Sequence, residues 1–183
     1  MLQLKEEYLS GLFSIVPQRF SDDRGYFFEA YQSFNYSKLI KDLEFVQDNV
    51  SKSSKGTLRG LHFQNPPFEQ GKLVQVLNGS VIDVAVDLRR SSPTYGRHFK
   101  IVLSGQNGIQ LYIPPGFAHG FLALENETIF SYKCTHHYQH QAENCLIWND
   151  PILAIDWELD NDPLISFKDQ KGLAFDTFYS PFE

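Results

Sequence analysis

Two histidines, two tyrosines, an arginine and a lysine stand where the surrounding sequence reads as strand and core. In 56–64, Arg59 and His62 interrupt an apolar strand pattern on either side of Gly60, and a glycine inside a strand marks a bulge or a close approach of ligand or backbone. In 113–121 the rigid Pro114-Pro115-Gly116 turn delivers His119 between small residues at a strand start. In 129–138 strand alternation puts Phe130, Tyr132, Cys134, His136 and Tyr138 on one face. Each residue has a plainer reading, as an exposed arginine, a hydrogen-bonded core histidine or a packed ring. As chemistry, His, Tyr and Asp with Lys72 suit removal of a proton next to a carbonyl. A base takes the proton, a cation stabilises the enolate and an acid returns a proton. The second phenol offers a ring on which a base can stack.

Other chemistries lack their signatures. His136, His137 and His140 lie among polar residues of an expected loop, and His62 is followed by Phe63 and Gln64 with no His-x-His pair, so no metal-ligand spacing emerges. There is no Gly-x-Ser-x-Gly elbow and no Gly-rich turn beside either cysteine. Both phosphate-cradling glycine patterns are absent. No cofactor is expected.

The elements that must position these side chains are strands. The chain has 183 residues, within the ~100–200 of one ordinary domain, and is read as one domain over 1–183. Aromatics reach 15%, with 16 Phe and 9 Tyr, which favours sheet over helix bundle. Strands are expected at 25–31, 45–50, 57–63, 73–77, 81–88, 98–103, 109–113, 120–124, 129–136 and 145–148, with Asn78-Gly79 as a two-residue hairpin turn. In 81–88, Ile82, Val84, Val86 and Leu88 share one face, and Asp83 and Asp87 fall on the other with Val81 and Ala85. One short helix is expected around 35–42. Many short strands with regular breaks predict a double-sheet jelly roll enclosing a pocket between its sheets.

The net charge of -6 argues against a nucleic-acid surface, though local Arg and Lys side chains still hold phosphate. Cys134 and Cys145 form no disulfide framework, and neither a signal peptide nor an apolar run of ~18 residues is present. A soluble, cytoplasmic protein without membrane association is expected.

Several ordered motifs resemble one family. They are 23–29 (Asp-Arg-Gly-Tyr-Phe-Phe-Glu), 47–49 (Gln-Asp-Asn), 58–64 (Leu-Arg-Gly-Leu-His-Phe-Gln), 70–73 (Gln-Gly-Lys-Leu), 83–87 (Asp-Val-Ala-Val-Asp), 115–121 (Pro-Gly-Phe-Ala-His-Gly-Phe), 132–135 (Tyr-Lys-Cys-Thr) and 166–169 (Ser-Phe-Lys-Asp). From about Phe20 to Asp169 the chain resembles the dTDP-4-dehydrorhamnose 3,5-epimerases, the metal-free sugar-nucleotide branch of the cupins. The resemblance implies an all-β, cupin-type double-stranded jelly roll with a few short helices, acting without cofactor on a dTDP-4-keto-6-deoxyhexose.

By that resemblance His62 is the general base, Tyr132 the general acid, Asp169 the carboxylate orienting His62, and Lys72 the cation beside the C4 keto oxygen. Asp83 is weighed as a second acidic neighbour of His62. Substrate-binding positions carry over as Arg24, Glu29, Gln47, Asp48, Asn49, Arg59, His119, Glu143 and Lys168, with Tyr138 as the ring on thymine. Arg24 and Arg59 suit the diphosphate, since a guanidinium engages two phosphate oxygens at once. A homodimer is implied, in which the segment bearing Arg24 and Glu29 is exchanged between subunits. Strict alternation sets Arg59 and His62 on opposite faces, which a bulge near Gly60 or a long Arg reach would reconcile. A single-centre epimerase, a non-catalytic sugar-nucleotide binder and a metal-dependent cupin are the alternatives.

Overall fold

Fourteen strands and two short helical segments make up the described residues, 3–40 and 44–183 of a computed structural model. The first sheet has the order β1 (Gln3–Leu9), β2 (Leu12–Val16), β10 (Gln110–Ile113), β7 (Lys72–Asn78), β12 (Thr128–Cys134) and β5 (Gln47–Ser53). The second runs β13 (Glu143–Cys145), β6 (Thr57–Gln64), β11 (Phe117–Ala123), β8 (Ser80–Asp87) and β9 (His98–Ser104), with β14 (Leu164–Ile165) parallel to β6. A separate hairpin joins β3 (Arg19–Asp22) to β4 (Gly25–Phe28). The two facing sheets form the expected double-stranded jelly roll.

Alternation along each strand divides the core. Val74, Val76, Leu111 and Phe130 of the first sheet meet Val81, Ala85, Phe117 and Phe121 of the second between the sheets, with the Phe121 and Phe130 rings stacked at 4.2 Å. The outer face of the second sheet carries Leu58, Leu61, Ile82, Val84 and Val86, covered by Leu146, Leu153, Trp157 and Phe182. The predicted two faces of 81–88 are thus both buried, one inside the roll and one beneath the C-terminal segment. Each large apolar side chain so buried contributes about 1.5–3 kcal/mol.

The outer face of the first sheet is covered by α1 (Ser33–Tyr36), whose Tyr36 packs on Phe13, Ile15, Leu73 and Tyr112. The Gln32 side chain caps this helix by accepting from Asn35 N at 2.8 Å. It begins earlier than the expected 35–42, is shorter, and residues 41–42 of that expectation lie outside the described residues.

The Asn78-Gly79 hairpin is not formed. The turn carries the chain from β7 in the first sheet to β8 in the second, and the two strands do not pair. Gly79 has φ +76°, and a Cβ there would lie 2.5 Å from Thr128 Oγ1. The turn chemistry was legible but its destination was not, because packing decides which sheet receives the next strand. β12 ends at Cys134, so His136 and Tyr138 leave the expected strand for a loop.

Candidate active site

The pairing of β6 with β11 resolves the parity of Arg59 and His62. Arg59 lies opposite Phe121 and His62 opposite His119, so three steps on β6 match two on β11. The extra residue is a bulge, and it turns both side chains to the inner face that holds Phe121. Gly60 has φ +125°, and a Cβ there would sit 2.5 Å from Gly120 Cα and 2.7 Å from His119 O. Only glycine fits this crossing.

His62 reaches the cleft from the second sheet. Its Nε2 is 2.7 Å from Asp169 Oδ1, while Asp169 Oδ2 accepts from Gly60 N at 3.2 Å. Asp169 opens the 3₁₀ turn Asp169–Lys171, and its own N–H donates to Ser166 Oγ at 3.1 Å. Burial opposes the charge on Asp169, but the hydrogen bonds from His62 and Gly60 outweigh it and hold the carboxyl below its ordinary pKa. With Nε2 engaged, Nδ1 of His62 is the nitrogen without a hydrogen bond among the described residues.

Tyr132 reaches the same cleft from the first sheet, where it pairs with Asn49 and Val74. Burial pushes its phenol above the ordinary value, so the group is a proton donor at neutral pH. Lys72, beside Cys134 across β7 and β12, is buried, and its ammonium makes no hydrogen bond or ion pair within the described residues. Burial lowers its ammonium pKa, with Cys134, Asp83 and Glu143 acting in the opposite direction. The cleft, about 260 Å³, thus has His62, backed by Asp169, from the second sheet, a phenol from the first and the unpaired ammonium of Lys72 among its lining groups.

Gln47, Asn49, Tyr138 and Glu143 also line the cleft. Glu143 forms an ion pair with Lys168 and accepts from Tyr138 Oη at 2.7 Å. Burial raises the Glu143 carboxyl, but Lys168 and Tyr138 outweigh it and leave the pKa low. Arg59 sits on the inner face and bonds Ser53 Oγ through Nε at 3.3 Å. His119 is buried deeper, its Nε2 2.9 Å from Asp83 Oδ2, and burial lowers its pKa despite that carboxylate.

Two expected placements differ. Asp83 pairs with His119 and not with His62, because the β8–β11 register sets it beside His119. Asp48 points away from the cleft, since Gln47 and Asn49 take the inner positions of β5, and it pairs with Lys133 at 2.8 Å. Arg24 lies at the tip of the β3–β4 hairpin, 90% exposed and paired with Asp22, and Glu29 follows that hairpin on the surface. Neither borders the cleft of its own chain.

Gln64, Gln70 and Cys134 border the cleft as well; the sequence gives none of them a role in the site, although all three sit within the family-like motifs. Ligand atoms of His62, Cys145 and Asp169 lie within 4.8 Å of one another. The set fits a metal poorly. His62 and Asp169 are already bonded to each other, and the Cys145 thiol donates to Leu146 O and is pushed up by burial to about 12.

A family model of dTDP-4-dehydrorhamnose 3,5-epimerase matches residues 6–177. The dTDP-4-dehydrorhamnose 3,5-epimerase of Pseudomonas aeruginosa is 49% identical over 160 residues, 87% of this chain and 88% of its own. That of Neisseria gonorrhoeae is 51% identical over 86% of this chain, which spans 48% of that relative's length. A dTDP-6-deoxy-D-glucose-3,5-epimerase from Legionella pneumophila, crystallised with dTDP-4-keto-L-rhamnose, superposes with a TM-score of 0.93 at 44% identity, covering 98% of this chain and 95% of that one. With the match running nearly end to end, the chain belongs to the dTDP-4-dehydrorhamnose 3,5-epimerase family.

Proposed function

We propose that the protein converts dTDP-4-dehydro-6-deoxy-D-glucose to dTDP-4-dehydro-L-rhamnose by inverting C3 and C5. The observation that carries this reading is the approach of His62 and Tyr132 from facing sheets across one cleft, with the buried Lys72 between them in sequence and among the lining groups.

His62 takes the proton from the carbon next to the C4 carbonyl. The C–H electron pair moves into the ring and the keto oxygen becomes an enolate oxygen, which the Lys72 ammonium stabilises. Asp169 is the positioning residue that orients His62 and stabilises its protonated form. Tyr132 then gives a proton to the same carbon from the opposite side, and the carbonyl returns. Both faces are reached because acid and base belong to different sheets. Gln47, Asn49, Arg59, His119, Glu143 and Lys168 hold the nucleotide sugar, and Tyr138 stacks on thymine. Asp48 contributes through its backbone at most, given its outward carboxylate.

The protein acts as a homodimer in this reading, with Arg24 and Glu29 of one subunit serving the partner's cleft. Their exposure on a hairpin with Phe20, Tyr26 and Phe27 also exposed supports that role. Incubation with the substrate in deuterated water tests the function. Deuterium is expected at both C3 and C5. Labelling at one carbon makes the enzyme a single-centre epimerase, and tight binding with no label makes it a binder.

A further inference from the structure

The loop between β12 and β13 carries Tyr138 at the cleft rim, with its side chain half exposed. Four successive backbone positions of this loop are held by side-chain amides. Gln70 Nε2 donates to His136 O at 2.7 Å, and Gln64 Nε2 donates to His137 O at 3.2 Å. Tyr138 N donates to Gln47 Oε1 at 2.7 Å, and Gln139 N donates to Gln64 Oε1 at 2.7 Å. Gln64 is 4% exposed and also donates to Phe68 O at 2.7 Å, so its amide has no capacity left for a ligand as donor. Gln47 completes its own pairing by donating to Asn49 Oδ1 at 3.0 Å.

The three glutamines come from β5, β6 and the segment before β7, that is, from both sheets around one loop. An amide is the side chain that offers donor and acceptor together without charge. It can therefore bind the N–H of one residue and the carbonyl of another while adding no negative charge beside a diphosphate subsite. The Tyr138 hydroxyl is fixed separately by Glu143, so both the backbone and the far end of the ring are anchored before any ligand arrives.

We infer that Gln47, Gln64 and Gln70 are positioning residues that fix Tyr138 as a preformed platform for the nucleotide base. The inference rests on the reading of Tyr138 as the ring that stacks on thymine. Holding the ring in advance removes the ordering cost of binding. The effect falls on nucleotide affinity, and the proton transfers at His62 and Tyr132 are touched less.

The test is calorimetric binding of dTDP, with steady-state kinetics alongside, for Gln64→Met, Gln70→Met, Tyr138→Ala and the two double variants. Methionine keeps the volume and removes the amide. Loss of these bonds is expected to weaken dTDP binding about fivefold to tenfold and to raise KM in step, with kcat changing less. Tyr138→Ala is expected to weaken binding about tenfold or more. In the Tyr138→Ala background the glutamine substitutions should change affinity by less than about twofold, because their effect passes through the ring. Fully additive losses, or wild-type affinity in folded Gln64→Met and Gln70→Met, overturn the inference. Should Gln64→Met fail to fold, the half-buried Gln70 decides alone. Wild-type affinity in Tyr138→Ala removes the platform and the clamp together while leaving deuterium exchange intact. Absent exchange with the coupling preserved would instead defeat the epimerase reading and keep the clamp.

Discussion

His62 and His119 face each other across β6 and β11, and each imidazole is bound through Nε2 by a different carboxylate, Asp169 at 2.7 Å and Asp83 at 2.9 Å. The pairs differ in access. The His62 side chain is 32% exposed to the cleft and that of His119 only 7%. Proton removal is therefore assigned to His62. Replacing His62 by Ala is expected to lower deuterium incorporation at C3 and C5 by about 10²–10⁴-fold while dTDP still binds. Asp169→Asn keeps the shape but loses the charge that supports protonated His62, and should lower kcat more than it changes KM. Mass spectrometry of the product reads both effects, and wild-type exchange in His62→Ala would remove it as the base.

The basic side of the pH–rate profile should report Lys72. Burial lowers the lysine from 10.5 and raises the tyrosine from 10.0. As pH rises the ammonium is lost, and with it the counter-charge to the enolate. The kcat profile is thus expected to fall on its alkaline limb at a pKa below that of an ordinary lysine. Lys72→Met should remove that limb and cost about 10²–10³-fold in kcat, the scale of losing one stabilising group aimed at a developing oxyanion. A limb that persists unchanged in Lys72→Met assigns it to another group.

Much of this arrangement was legible in the sequence. The alternation in 129–134 named the inward positions, while that in 81–88 separated two faces without saying which enters the roll, because both are buried. Gly60 left a bulge or a long Arg reach open as ways to bring Arg59 and His62 together, and the register supplies the bulge. What escaped were choices made by tertiary contact. Whether Asp83 pairs with His62 or His119 depends on the β8–β11 register. Whether Asn78-Gly79 closes a hairpin depends on which sheet has room for the next strand. The glutamines were hidden for a related reason, as their partners are backbone atoms 66 to 91 residues away and leave no periodic trace.

The buried Asp83–His119 pair should matter to stability as well as to the cleft. Asp83 is fully buried with Oδ1 unpaired among the described residues. Removing one member of such a pair strands the other, so Asp83→Ala, which leaves the buried neutral imidazole of His119 without its partner, is expected to cost about 1–3 kcal/mol in urea unfolding. The double variant with His119→Ala should lose less than the sum. The acid side has a definite sign. His119 is held neutral, below its ordinary 6.5, mainly by burial. Its contribution is complete above pH 6.5 and is lost as the pH falls from there toward the folded value. The lowered Asp169 carboxyl acts in the same direction at lower pH, its contribution disappearing as pH falls through the folded pKa. Tm should therefore decline on acidification below about pH 6.5, and His119→Gln should flatten the first part of that decline.

Arg24 gives the sharpest test of shared sites. It stands on a hairpin that pairs only with itself, away from the cleft of its own chain, with its guanidinium tied to Asp22. The pair lies on the surface, with the Asp22 side chain about half exposed, so it is easily exchanged for a phosphate. If the hairpin serves the partner's cleft, Arg24→Ala and His62→Ala are each defective alone but complement each other when mixed under conditions that exchange subunits. A mixed dimer then has one cleft with an intact His62 and an intact Arg24 from the other subunit. Random 1:1 reassembly should recover about a quarter of wild-type activity, since half the dimers are mixed and one of their two sites is whole. Activity that stays at the level of the separate variants, although light scattering shows dimers that exchange, would place Arg24 in its own chain's site or in none. Recovery well above a quarter would mean that Arg24 acts on both clefts of an assembly, a geometry that a simple two-fold pair of hairpins does not provide.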